Sequence, residues 1–382
     1  MTRPGRRARL VPWLAVLVLI VVAAVRPAAA DGLAADETAR ILRHGPWPEP
    51  WRRDGGNRLS GDAAAAELGR ALFFDPRLSA GGGVACATCH RPERAWADGL
   101  ARSVGIARMD RNAPSLLDAR GRRWFGWDGA ADSLWAASLR PILEPGEMGG
   151  SVAGVAALLR ADPHLSELHR RLPAPTGPTD DLALAVDAAK ALAAFQETLT
   201  SGRTPFDRFR DGLAAGDAAA VARYPADALR GLRTFVGRGN CSLCHAGPAF
   251  SHGEFEDVGV GYFLERGRVD PGRAGGVERL RASPFTRLGR WNDGGDATAT
   301  RHLDPQHRDF GLFRVPSLRN VAATAPYMHD GRLATLADVV RHYSEVDEER
   351  LHADGSRLVR PLRLGPTEQA DLVAFLRTLS PE

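Results

Sequence analysis

The amino-acid sequence predicts a mostly α-helical protein of two similar domains, at residues 31–200 and 201–382, behind a leader at residues 1–30. Three observations carry that expectation. Apolar residues recur at spacings of three to four immediately before each of two copies of one cysteine-containing motif, the period of a helix with one buried face. The segments between are rich in glycine and proline and offer few alternating strand patterns. About 350 residues follow the leader, enough for two cores of ordinary size.

The leader comes first. Arg3, Arg6, Arg7 and Arg9 precede an apolar run from Leu10 to Val25 and the small residues Ala28, Ala29 and Ala30, which is the order of a cleaved secretory signal. The run is shorter than the roughly 20 residues of a membrane-spanning helix. An uncleaved anchor is the alternative, and no stable membrane insertion is expected after cleavage near Ala30. The mature chain then begins near Asp31 in an oxidising compartment, the periplasm. Residues 1–30 hold five arginines and no acids, so the formal charge of +4 falls to −1 without them. A near-neutral mature chain gives no support to nucleic-acid binding. Only one lysine, Lys190, accompanies the many arginines, which reads as a genomic bias.

Leu68, Leu72 and Phe73 mark an amphipathic helix in the N-terminal half, and Leu229, Leu232, Phe235 and Val236 mark its counterpart in the C-terminal half. The apolar stretch Leu182–Leu199 closes the first domain, and Ser201-Gly202-Arg203-Thr204-Pro205 is the turn-rich boundary. A last helix, Thr367–Leu379, presents Leu372, Phe375, Leu376 and Leu379 on one face, suited either to cover a planar cofactor or to pack in an ordinary core. Gly272–Gly311 yields no clear element.

The two motifs are Cys86-Ala87-Thr88-Cys89-His90 and Cys241-Ser242-Leu243-Cys244-His245, and they use all four cysteines. Cys-x-x-Cys-His is the pattern of covalent c-type haem attachment: the thiols add to the haem vinyl groups and the adjacent imidazole ligates the iron. A redox pair or half of a zinc site could use one such motif. Two copies, each ending in histidine, in an exported chain with no other cysteine, favour two covalent haems in two cytochrome c-like domains.

Function then turns on the far side of each iron. Strong ligands on both sides suit electron transfer, whereas an open side can bind and split peroxide. After His90 no histidine occurs until His164, and the mature chain has methionine only at Met109, Met148 and Met328. The first haem therefore lacks a nearby histidine, which points to an open face, with Met109 or Met148 as the ligands that could close it. Glu147, in the turn Glu144-Pro145-Gly146-Glu147-Met148, offers a carboxyl group able to move a proton between the oxygens of bound peroxide. The plainer alternative is a solvated loop acid.

Nearly the whole mature chain, from Glu67-Leu68-Gly69-Arg70-Ala71-Leu72-Phe73-Phe74-Asp75 to Ala370-Asp371-Leu372-Val373-Ala374-Phe375-Leu376, resembles the bacterial dihaem cytochrome c peroxidases, and within them the MauG-like branch. Besides the haem motifs, its marks are Asn112-Ala113-Pro114-Ser115-Leu116, Trp127-Asp128-Gly129, Pro316-Ser317-Leu318-Arg319-Asn320 and Thr324-Ala325-Pro326-Tyr327-Met328-His329-Asp330-Gly331. The resemblance implies that the N-terminal haem is the peroxidatic one, with Glu147 and Pro141 lining its distal pocket. Ordinary members carry a distal histidine before the Trp-Asp-Gly segment, and this chain has none, so an open site without prior reduction is implied. Ala137 departs from the glutamine usual in that pocket.

The resemblance also places a second-haem ligand fourteen residues after His329, methionine in ordinary peroxidases and tyrosine in the MauG-like branch. Here that residue is Tyr343. A hard phenolate stabilises ferric and higher oxidation states, whereas a thioether favours ferrous iron. His342 is the adjacent rival, but neighbours on a helix point about 100° apart, so only one can face the iron. Trp127 is implied to lie between the haems as an oxidisable bridge, against the commoner role of core aromatic. The Asn112 side chain and the carbonyls of Thr324 and Pro326 match a calcium site, whose oxygen ligands suit a hard cation.

Three readings follow. The preferred one is a periplasmic MauG-like oxidase that reacts with hydrogen peroxide at the His90 haem and takes electrons from a protein or small-molecule reductant through the second haem. The surface tryptophan that MauG uses two residues before the second motif is Gly239 here, which implies a different substrate. The second is an ordinary cytochrome c peroxidase fed by a small cytochrome or cupredoxin. The third is a non-catalytic dihaem electron carrier.

Overall fold

The computed structural model describes residues 32–174, 179–261, 263–265, 267–347 and 358–381; the expected leader and its cleavage point lie outside them. In chain order the helices of the first half are α1 (Ala35–Leu42), α2 (Ala63–Phe73), α3 (Cys86–Cys89), α4 (Leu134–Leu143), α5 (Val152–Ala161), α6 (Pro163–Arg170) and α7 (Asp181–Gln196). Those of the second are α8 (Pro205–Ala215), α9 (Ala218–Ala222), α10 (Ala226–Val236), α11 (Arg273–Ala282), α12 (Thr298–Arg301), α13 (Leu336–Glu345) and α14 (Pro366–Arg377). Strands are short: β1 (Phe255–Glu256) pairs antiparallel with β4 (Phe313–Arg314), and β2 (Phe263–Glu265) with β3 (Arg268–Val269). Among the described residues no helix is long and apolar enough to cross a membrane.

One helix crossing is built twice. In the first half, α7 is buried along its whole length from Ala183 to Gln196, because α2, α4 and α5 pack around it and its many alanines let them approach. The contact with α2 depends on Gly69, where an added Cβ would lie 2.0 Å from the carbonyl oxygen of Ala191. In the second half α10 crosses α14, and a Cβ on Gly231 would lie 2.0 Å from the carbonyl oxygen of Asp371. One turn after each glycine an aromatic pair closes the crossing, Phe73 with Phe195 at 5.2 Å and Phe235 with Phe375 at 4.9 Å between ring centres. The apolar stripes expected at Leu68, Leu72 and Phe73 and at Leu372, Phe375 and Leu376 therefore face cores.

The chain crosses the division expected near residue 200 in both directions. Leu33 and Ile41, from the N-terminal segment, are buried in the second core, and Phe285 and Trp291 pack beside Trp135 of the first half. The stretch Gly272–Gly311, which showed no pattern in sequence, carries α11 and α12 and is pinned to the first half by charge. Lys190 Nζ, almost fully buried, bonds Asp293 at 2.6 Å, and Arg287 bonds Asp54 at 3.0 Å. Arg111 bridges Asp128 at 2.7 Å and Asp270 at 2.6 Å. The lone lysine is thus a structural cation, a role that composition could not reveal.

Candidate haem sites

Each motif ends in a histidine whose ring is oriented by the chain a few residues further on. His90 follows α3, and its Nδ1 lies 3.1 Å from the carbonyl oxygen of Trp96; His245 Nδ1 lies 3.0 Å from that of Phe250. Trp96 and Phe250 adopt positive φ, 62° and 52°, a region that non-glycine residues seldom enter. A serine latches each loop from a Pro-Ser-Leu segment: Ser115 Oγ donates to Ala95 O, and Ser317 Oγ to Ala249 O, both at 2.6 Å. With Nδ1–H donating to a carbonyl, each Nε2 keeps its lone pair for a metal. Burial lowers both imidazoles, His245 to about 4, so both are neutral at pH 7.

The thiols are also shifted. Burial pushes Cys86 and Cys241 up to about 12 and Cys89 and Cys244 up to about 11. A redox-active pair needs the opposite shift, so the disulfide-exchange reading loses its chemical basis.

Beside the second motif lies a cavity of about 350 Å³ whose wall includes Cys241, Cys244, His245 and Tyr343. Val339, Val340 and Tyr343 share one face of α13 and all line it. His342 points elsewhere, its Nε2 lying 2.8 Å from Val258 O. Burial pushes the Tyr343 phenol well above its ordinary value, so only a strong Lewis acid would ionise it at neutral pH. Trp127, Asn112, Thr324 and Pro326 also line this cavity. The Trp127 indole N–H donates to Asn112 O at 2.8 Å, and Arg314 N–H donates to Trp127 O at 2.7 Å. Asn112 Nδ2 is committed to Leu100 O at 2.7 Å, which leaves Oδ1 free to act as an oxygen donor; with the carbonyls of Thr324 and Pro326 on the same cavity wall, the donor types suit a hard cation.

Glu147 and Pro141 stand apart from that cavity, with the first motif. The Glu147 carboxylate pairs with Arg140 Nη1 at 2.7 Å, and its charge is felt at His90 and at the first pair of thiols. Ala137 and Pro141, four residues apart, share the partly open face of α4, while Trp135, Leu139 and Ile142 occupy its buried face. Met148 is buried in the first core, and Met109 lies against Gly146.

Three functional candidates escaped the sequence reading. Arg140 holds Glu147, a pairing that the i, i+7 spacing alone does not announce. Arg122 and Arg314 line the cavity and, among the described residues, hydrogen-bond only to carbonyls, Arg122 to those of Ser115 and Leu117 at 2.9 and 2.7 Å and Arg314 to that of Gly126 at 3.1 Å. Burial and the neighbouring charge of Arg122 push Arg314 down to about 9. Two guanidinium groups without a carboxylate partner among the described residues call for anions. Haem propionates would supply them, and with apolar walls, neutral imidazoles and paired thiols the residues fit the cofactor.

The description "Di-haem cytochrome c peroxidase" belongs to the family model that matches residues 63–215. The chain is 38% identical to the methylamine utilization protein MauG of Methylorubrum extorquens, over 82% of this chain and 78% of that one. It is 33% identical to the cytochrome-c peroxidase IdrP2 of Pseudomonas sp. strain SCT, over 84% and 82%. Among solved structures, a MauG-like protein associated with microbial copper homeostasis matches with a TM-score of 0.67 and 28% identity, covering 88% of this chain and 95% of that one. The diheme peroxidase BthA of Burkholderia thailandensis E264 shares the fold, with a TM-score of 0.68, 23% identity and coverage of 88% and 94%.

Proposed function

The chain belongs to the di-haem cytochrome c peroxidase family, which includes MauG, and is a haem oxidoreductase; on that footing we propose that it is a periplasmic peroxidase or oxidase of MauG type. In this reading the leader is cleaved near Ala30, and each core is a cytochrome c-like domain with one covalent haem, held by Cys86, Cys89 and His90 or by Cys241, Cys244 and His245. The observation that carries the MauG-type assignment is the position of Tyr343 in the cavity of the second motif, with His342 bonded to Val258 O.

When bound, the haems held by His90 and His245 would supply the redox chemistry of peroxide reduction. Glu147 takes a proton from one peroxide oxygen and returns it to the departing one, work for which its pairing with Arg140 sets the position. Pro141 and Ala137 shape the wall beside it. Trp127, which lines the second cavity with its N–H held by Asn112 O, would serve as the oxidisable bridge that passes electrons from the second site to the first. Tyr343 supplies the phenolate that favours high oxidation states at the second iron. Asn112, Thr324 and Pro326 would hold a calcium ion that stiffens the junction. Electrons come from a protein or other reductant. The carrier reading falls away, because relatives along most of the chain are named as cytochrome c peroxidases.

The test is to add one equivalent of hydrogen peroxide to the fully oxidised dihaem protein and follow both haems by optical and electron paramagnetic resonance spectroscopy. Loss of a high-spin and a low-spin ferric signal together, without prior reduction, is expected. Tyr343→Phe should abolish the second haem's share of that response. Reaction only after one haem has been reduced would make the protein an ordinary cytochrome c peroxidase.

A further inference from the structure

Four successive carbonyls of the loop after His245 are each held by a side chain. His44 Nδ1–H donates to Gly247 O at 3.1 Å, Arg319 Nε to Pro248 O at 2.7 Å, Ser317 Oγ to Ala249 O at 2.6 Å, and His245 Nδ1–H to Phe250 O at 3.0 Å. Arg319 is the centre of this set. Its two Nη atoms bond Asp207 at 3.0 and 2.9 Å, with the two side chains only 1% and 2% exposed. Its guanidinium carbon lies 3.7 Å from the ring centre of Trp47 and 5.8 Å from that of Phe250. On Phe250 itself the His44 ring stacks at 4.6 Å and 11°. Asp207 is further fixed by the N–H and hydroxyl of Thr204 at 2.8 and 3.0 Å.

Burying two charges carries a heavy desolvation cost, and the first half shows that such a loop can form without it. There Leu117 occupies the place of Arg319, two residues after the latching serine, and among the described residues Ser115 is the one side chain besides His90 that bonds the carbonyls of residues 91–96. The group that receives a ligand histidine's second N–H sets both the direction and the basicity of the ring. A charge pair that immobilises the loop carrying this acceptor, through Pro248 O two residues before it and the Phe250 ring, therefore acts on the ligand.

We propose that Arg319, seated on Asp207 and flanked by His44, is the positioning residue for His245: it fixes the carbonyl that receives the Nδ1 proton and so sets the orientation and electron donation of the imidazole at the second haem. This rests on the reading that His245 ligates the second haem iron.

The experiment uses the dihaem protein, with both haems counted by intact mass, and reads each haem's reduction potential and low-temperature g values. Arg319→Leu combined with Asp207→Leu removes the clamp without stranding a charge and mimics the first half. Its second haem should shift to higher potential, because a slackened Nδ1–H bond makes the ring a poorer donor to ferric iron. Its g values should move, and those of the first haem should not. Arg319→Lys keeps the charge but loses the fork and should shift in the same direction by less, as should His44→Phe, which keeps the stack and loses the Gly247 bond. Wild-type potential and g values at the second haem in both Arg319→Lys and His44→Phe would overturn the proposal, even if the double variant does not fold. His245→Gly separates the two failures. If it leaves the second-haem spectrum unaltered, the ligand assignment falls. If it changes that spectrum while the Arg319 variants do not, the clamp alone falls.

Discussion

The two histidine loops have the same skeleton and different anchorage. Each has a Cys-x-x-Cys-His turn, a positive-φ aromatic residue whose carbonyl receives the Nδ1 proton, and a serine latch from a Pro-Ser-Leu segment. Beyond that they diverge: the first loop rests on apolar neighbours such as Phe73 and Phe195, the second on a buried Arg319–Asp207 pair. The difference suggests that the skeleton suffices to form a site, and that what is added to it decides what the site does. The first half adds the Glu147–Arg140 pair, whose charge is felt at the first motif, and which in the proposed function carries the proton for peroxide. The second adds the buried ion pair and places Tyr343 in the cavity, which in the proposed function holds the oxidation state of the second iron.

The sharpest way to break this comparison is to strike one site and watch the other. Glu147→Gln should slow the reaction with peroxide by roughly 10²–10⁴-fold, the usual worth of a positioned acid or base. The second haem's resting spectrum should stay as it was; stopped-flow mixing with peroxide reads the first and optical spectroscopy the second.

Next in size is Arg319→Leu alone, which strands Asp207 and should cost about 3–5 kcal/mol of stability. Leu117→Ala at the matching place should cost about 2 kcal/mol. Denaturant titration of both variants would show whether the anchorage differs as described. Acid should reveal the same asymmetry. Burial alone would raise the Asp207 carboxyl, but its hydrogen bonds to Arg319, that residue's charge and Thr204 outweigh this and leave it below the usual carboxylate value. A depressed acid contributes stability above its unfolded pKa and loses it as pH falls through the folded one. The pair should therefore persist through the ordinary carboxylate range and release only in stronger acid, which a pH series of melts on wild type and Asp207→Asn would detect.

Smaller still, and expected to be equal in the two halves, are Gly69→Ala and Gly231→Ala. Each new methyl group would meet a backbone carbonyl at 2.0 Å and should cost about 1–3 kcal/mol by overpacking. Ser115→Ala and Ser317→Ala should each cost about 1 kcal/mol for one lost hydrogen bond to a carbonyl. A marked inequality within either pair would mean that the shared skeleton is less alike than its geometry indicates.

Much of this was legible in the sequence, because it is written locally. The helical stripes before each motif and the long α7 follow from residues a few positions apart, whereas Tyr343 is singled out over His342 by the family resemblance, which counts fourteen residues on from His329. The long-range charge pairs were not legible. Arg319 finds Asp207 across 112 residues and Lys190 finds Asp293 across 103, and an ion pair between distant segments leaves no period to read. The packing of α1 in the second core was hidden for the same reason. One signal was present and went unread: Pro-Ser-Leu recurs at 114–116 and 316–318, and the residue that follows, Leu117 or Arg319, is where the two halves part.

The region that gave no pattern in sequence has a mechanical consequence. Lys190 with Asp293, Arg287 with Asp54, and Arg111 between Asp128 and Asp270 stitch residues 270–293 of the second half onto the first. The tunnelling distance between the two redox centres is then set by these stitches and not by the peptide that joins the halves. A protease cut in the connection at 201–204 would nick the chain without parting it, and the two fragments should elute from a sizing column as one body until denaturant loosens the seam.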